Sequence, residues 1–274
     1  MPAPPRGHSL FPLMDDDWEP TRATLHAYAQ CAAAVPRALA IPHPRWWHVG
    51  LRVRPNGLVT EAMALPGGGA FDIRMDLRTS ETVLETSRGD TTSIPMGDGL
   101  TATELAERLL SGVAHLGIGA RYDRGRFESE APRAYDPAAA GNFFEALVNI
   151  VRVFEEHRAG LDGETGPPHL WPHGFDVAFE WFGTRTHTDD GEEQAAQLNL
   201  GWYPAGRPYF YSNPWPFDSE LLGHELPHGA QWHTEGWKGS LLYYDAIAGD
   251  LEAPRKLREY AAAVYRLAAP RLTA

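Results

Sequence analysis

Apolar residues in this chain hold one period for a long stretch before switching to the other, and that blockwise switching most limits the fold. Leu25, Tyr28, Ala32 and Val35 recur at the spacing of a helix near residues 20–35. Asp15-Asp16-Asp17, Trp18 and Pro20 suit its entry, and Pro36 is expected to end or bend it. The period then drops to two. Trp47, Val49, Leu51 and Val53 alternate with Trp46, His48, Gly50 and Arg52, and a Pro55-Asn56-Gly57 turn follows. Phe71, Ile73, Met75 and Leu77 alternate with polar residues, and Thr82 to Thr86 is the expected partner strand.

Two helices come next. Thr101 with Glu104 forms a capping-box pattern ahead of Leu105, Leu109, Val113 and Leu116, with Gly117 as the stop. Asp136-Pro137 opens another, faced by Phe143, Leu147, Ile150, Val151 and Phe154. Strands return at Phe175–Trp181, Leu198–Trp202 and Tyr209–Tyr211. A last helix over 252–268 is closed by Pro270. Runs of strands separated from runs of helices predict an α+β fold, with mostly antiparallel sheet packed against about four amphipathic helices. The first fourteen residues, rich in proline, read as a loose arm. Residues 15–274 read as one compact domain, with the option of two α+β halves meeting near 120–135.

Composition narrows the function classes. The formal charge of −12 and the lack of a long basic stretch argue against a nucleic-acid partner. A lone cysteine, Cys31, excludes an intrachain disulfide framework and a cysteine-based metal cluster; among alanines it reads as packing. No apolar run is long enough to cross a membrane, and a cytoplasmic setting is expected. Phosphate-loop, dinucleotide and nucleophile-elbow motifs are missing, so no nucleotide cofactor is expected. Lys238 and Lys256 are the only lysines, which makes Schiff-base chemistry unattractive.

The chemistry therefore rests on the 12 histidines. His224-Glu225-Leu226-Pro227-His228 has the spacing of a zinc-peptidase motif, but Pro227 denies it the helix that would put both imidazoles on one face. His169, Trp171 and His173 would share one face of an extended chain. His48, between tryptophans and a valine on an expected strand, is expected to be at least half buried, and His26 and Gln30 share a face of the first helix. Asp176 and Glu180 lie on one face of their strand, with Arg185 close behind.

Taken together, several segments resemble a bacterial family, the domain of unknown function 5996 (DUF5996). They are Thr24-Leu25-His26 with Gln30, Trp46-Trp47-His48-Val49, Gly57-Leu58 with Thr60, Tyr135-Asp136-Pro137, His169, Phe175-Asp176, Phe182 with Arg185, and Tyr211 with Pro214 and Pro216. The resemblance spans Trp18 to Ala268. It sets His26, Gln30, His48, His169, Asp176 and Arg185 on the family pattern and leaves out His173, His224, His228, His233 and Glu180. It also marks the chain as divergent: Ala34 stands where a lysine is usual, Pro44-Arg45 where Asn-His is usual, and the glutamate usual upstream of the segment matching Gly201-Trp202-Tyr203-Pro204 has no counterpart.

The resulting expectation is a small-molecule enzyme, metal-dependent or acid–base, in an aromatic-lined pocket. His26, His48, His169 and Asp176 are its catalytic candidates. Gln30, Trp47, Trp171, Arg185 and Tyr211 are its substrate-binding candidates. His26, His48 and His169 are also the candidate ligands of a transition metal. The alternative is a non-catalytic binder of a small molecule, which needs no convergence of these side chains.

Overall fold

The computed structural model describes residues 9–14, 16–189 and 191–273. They form four α-helices and two antiparallel sheets, an α+β fold. The residues gather into two compact units that interleave in sequence. The first takes residues 14–144 and 169–176, and the second takes 9–13, 145–168 and 177–273.

The first unit begins with α1 (Glu19–Leu39), which buries Leu25, Tyr28, Cys31, Ala32 and Val35. The helix runs one turn past Pro36 and past the end expected near residue 35, so of the two effects expected of that proline, an end or a bend, it is not the end. A proline removes only one backbone donor, and the turn closes with the Ala40 N–H donating to the Pro36 carbonyl at 2.9 Å. The expected strand through His48 is absent. Trp47–Val49 forms a single 3-10 turn entered through Trp46 at φ 60°, and extended structure resumes only at Leu51. Alternating apolar residues fitted a strand there, but the left-handed Trp46 breaks the extended backbone that a period of two requires.

Strands β1 (Arg52–Arg54), β2 (Gly57–Val59), β3 (Met63–Ala64), β4 (Ala70–Asp76), β5 (Glu81–Thr86) and β6 (Thr91–Pro95) form one antiparallel sheet. Its order is β1-β2-β4-β5-β6, with β3 also on β4. In β4, Phe71, Ile73 and Met75 are buried and alternate with half-buried Asp72 and Arg74, as their period of two predicts. α2 (Ala102–His115) packs on β5 and β6 and against α1. Both hydrogen bonds of the Thr101–Glu104 capping box form, and Leu105, Leu109 and Val113 are buried. α3 (Pro137–Arg158) gives its first turns to this unit and the rest to the other; the Asp136 side chain accepts from the Ala138 N–H at 2.8 Å.

The chain returns to the first unit at β8 (His169–Trp171), after the short β7 (Glu164–Thr165). Leu170 and Leu51 exchange both backbone hydrogen bonds, at 2.8 and 2.9 Å. Phe175 is fully buried, stacked 5.4 Å from Phe143.

In the second unit β9 (Asp176–Asp189), β10 (Glu192–Tyr203), β11 (Tyr209–Ser212), β12 (Pro214–Trp215), β13 (Gln231–His233) and β14 (Gly239–Tyr243) build the second sheet. Its order is β13-β14-β11-β10-β9-β7, with β12 also on β10. α4 (Ala253–Leu272) packs on β10 and β12 and carries Pro270 within its last turn. In the described part of the segment read as an arm, Leu10 and Leu13 are exposed but Phe11 is packed. Phe11 is fully buried, with its ring 6.1 Å from Phe210 and 6.2 Å from Tyr244, while its carbonyl accepts from Gly249 N–H. No described helix is long and apolar enough to cross a membrane.

Candidate functional site

Gln30, Ala33, Ala34, Arg37 and Ala38 share one face of α1 because they recur at steps of three and four residues. In the first unit that face borders a cleft of about 190 Å³. Arg121, Asp123 and Arg126 line it from the segment after α2, and Pro172 and His173 line it from the turn after β8. Small alanines leave the space open, and polar side chains stand around it. Arg126 Nε donates to Asp123 Oδ2 at 2.6 Å.

His26 sits one turn below Gln30 and fastens the third wall. Its Nε2 is 3.0 Å from the Pro172 carbonyl and 3.3 Å from the Gln30 side-chain nitrogen. A carbonyl can only accept, so Nε2 carries the proton in this contact. The Gln30 amide is then best turned to offer its oxygen, an assignment made from the network. The imidazole also lies 5.6 Å from the Phe175 ring. Burial, followed by the Arg22 charge, holds His26 below its ordinary pKa. The ring is therefore neutral near pH 7 and acts as a clasp between α1 and the 172–173 turn.

His48 is buried beside the same helix. Its Nδ1 accepts from the His43 backbone N–H at 3.1 Å, which leaves the proton on Nε2. Burial, then the Arg37 and His43 charges, push its pKa down. The Trp46 ring stacks 5.6 Å from His48, and the Arg37 guanidinium lies 5.6 Å from the Trp46 ring centre. Trp47 stacks on His43 at 4.3 Å, and its buried indole N–H has no hydrogen-bond partner among the described residues.

His169 is fully buried, with Trp171 and Trp47 at ring distances of 5.5 and 6.4 Å. It presses on Gly50, where an added Cβ would sit 2.7 Å from the His169 Cβ. The shared face expected for His169 and His173 is lost, because β8 ends at Trp171 and the Phe175 N–H turns back to the Trp171 carbonyl at 2.7 Å. His173 is exposed and lines the cleft, while Trp171 lies 6.1 Å from it.

The other candidates divide between the units. Asp176 is half-buried at the end of the first unit. Arg185 and Tyr211 belong to the second unit. Arg185 is exposed and donates to the Arg271 carbonyl at 2.7 Å. Tyr211 packs its ring into the space a side chain on Gly201 would need. Among the described residues no group of three or more His, Cys, Asp or Glu side chains is placed to hold a metal ion. His224 and His228 share no helix; His228 stands at φ 59° and meets Glu259 at 2.6 Å. Cys31 is buried with its thiol pushed up to about 12 by desolvation, and its Sγ faces the Ala102 carbonyl, which fits packing.

Sequence reasoning missed Arg37, Arg121, Asp123 and Arg126. Ending the helix at Pro36 hid Arg37. The signal for the others was the dense run Arg121-Tyr122-Asp123-Arg124-Gly125-Arg126, a local reversal of charge in an acidic chain.

No curated protein and no solved structure matches this chain. A family model described as a family of unknown function (DUF5996) matches residues 11–273, nearly the whole chain. The chain belongs to the DUF5996 family.

Proposed function

We propose that this protein binds a small molecule in the cleft along α1. The observation that carries the reading is convergence: three separate segments, 30–38, 121–126 and 172–173, bring polar and charged side chains around one space bordered by alanines. The expected histidine site supports binding better than metal chemistry. His26 is engaged by a carbonyl and His169 is fully buried, so neither imidazole is presented to a solvent-borne substrate. An engineered cavity of about 150 Å³ takes benzene, so the space here suits a compact metabolite. A cytoplasmic setting belongs to the same reading and rests on the lone, buried Cys31.

Catalysis is the second reading, favoured by one observation. His173 is an exposed imidazole on the cleft wall, within the turn that His26 clasps. In an enzyme it would be the proton-transfer group and His26 its positioning residue.

The test is a thermal-shift panel of small acids, amines and neutral aromatics on the full chain. Ala38 is exposed on the cleft face, so Ala38→Trp fills the space at little cost to the fold. Stabilisation by a panel member that Ala38→Trp abolishes supports the reading. Stabilisation that survives Ala38→Trp places the ligand elsewhere and overturns it. Turnover of that ligand lost in His173→Gln, with binding kept, decides for the enzyme.

A further inference from the structure

The charge around the cleft goes further and identifies the class of molecule it takes; this step rests on the cleft being the ligand site. The ionisable groups lining the space are Arg37, Arg121, Arg126, Asp123 and His173. Asp123 is engaged by Arg126. Among the described residues neither Arg37 nor Arg121 has an acidic side chain at ion-pair distance. Three guanidiniums against one carboxylate thus border one small space, in a chain whose formal charge is −12. Acidic side chains are abundant enough to have paired them.

The arrangement also has a cost that stability does not explain. Burial, then the Arg126 charge, disfavours the charged form of Arg37, and the Asp123 carboxylate offsets only part of this. Beside it, Trp46 is held at φ 60°, where a bulky residue is strained, and the residue is 56% exposed. Its indole lies 5.6 Å from the Arg37 guanidinium and 5.6 Å from the His48 ring. A strained, exposed tryptophan adds little to a core. Its ring, 5.6 Å from the Arg37 guanidinium, is placed to limit the rotamers of Arg37 and so to prepare a planar fork for a ligand.

We propose that the cleft binds a small oxyanion, a carboxylate or a phosphate monoester, with Arg37 and Arg121 as its charge partners and Trp46 as the positioning residue for Arg37. Guanidinium forks match the paired oxygens of either group. A long polyanion is disfavoured by the acidic remainder of the chain.

The experiment is calorimetric titration of the full chain at low salt with acetate, benzoate, inorganic phosphate and phenyl phosphate, against benzamide and benzylamine. One or more anions are expected to bind and the neutral and cationic probes to fail. Arg37→Gln and Arg121→Gln should each weaken that binding about tenfold, with circular dichroism and melting unchanged. Added sodium chloride should weaken it further. Arg152→Gln, remote in sequence and already paired with Glu156, should leave it unchanged. Trp46→Leu should weaken binding less than Arg37→Gln, and should lose its effect when Arg37 is already Gln, which a merely structural Trp46 would not do.

Benzamide or benzylamine binding, blocked by Ala38→Trp while no anion binds, keeps the cleft and overturns the oxyanion. Anion binding that survives Ala38→Trp overturns both. No heat from any anion, or wild-type affinity retained in both arginine variants, overturns the oxyanion proposal alone.

Discussion

Burial against Phe179 and Tyr265 pushes the His157 imidazole down to about 4. An unfolded histidine takes its proton near pH 6.5. Between those values the unfolded chain binds a proton that the folded chain refuses. The stability His157 contributes is therefore complete above about pH 6.5 and lost as pH falls toward 4, by up to about 3 kcal/mol. His26 and His48 are also held down by burial and act in the same sense. His157→Phe should accordingly shrink, and not remove, the loss of stability between pH 7 and pH 5 measured by urea unfolding. An unchanged loss would mean that the ring is solvated. Gly50 makes a second case of one residue set by its neighbour. A Cβ there meets the His169 Cβ and ring at 2.7–2.8 Å, so Gly50→Ala should cost about 1–3 kcal/mol in the same assay. Nothing in the spacing of His169 revealed this. The glycine and the histidine stand 119 positions apart in the chain, and a periodicity argument sees only neighbours.

At the scale of the element, what was legible was local. Thr101 and Glu104 are three residues apart, and both bonds of their capping box form. Thr101→Ala should cost about 1 kcal/mol, read as a lower urea midpoint with unchanged slope. A change in slope would point to a larger rearrangement. The stripe of α2 and the alternation of β4 were readable for the same reason, since each face is written within one short window. Two failures share the opposite cause. The alternation from Trp46 to Val53 fitted a strand, yet one left-handed residue turned its first half into a 3-10 turn. Pro36 fitted an end or a bend near residue 35, yet the helix continued and carried Arg37 onto the cleft face. Side-chain pattern is blind to a single backbone dihedral, and a proline near a helix end costs too little to stop it. The candidate site was legible in part: His26, Gln30 and the 169–176 segment were singled out, but the arginines that set its charge were not.

At the scale of the whole molecule, the first unit is closed by a segment that arrives late in the chain. Residues 169–176 bring Leu170 to Leu51, Pro172 to His26, and Phe175 to Phe143 and His26. Each contact joins residues far apart in sequence, so no periodic run announces it. The same segment supplies one wall of the cleft through Pro172 and His173. Closing the core of this unit and building its site are therefore one folding event. Phe175 is fully buried, and Phe175→Ala should cost about 3–5 kcal/mol by the lost transfer energy and the cavity left behind. Its effect should extend beyond stability. With the turn loosened, the His26 clasp has less to hold, and a ligand that Ala38→Trp excludes should bind Phe175→Ala more weakly even where the variant remains folded. A chain cut after Phe144 takes the argument to its limit: it keeps α1, α2 and the first sheet but loses the closing segment. It should show helical circular dichroism without a cooperative melt. A sharp melt in that fragment would show that the first unit closes without residues 169–176, and that their role is confined to the cleft.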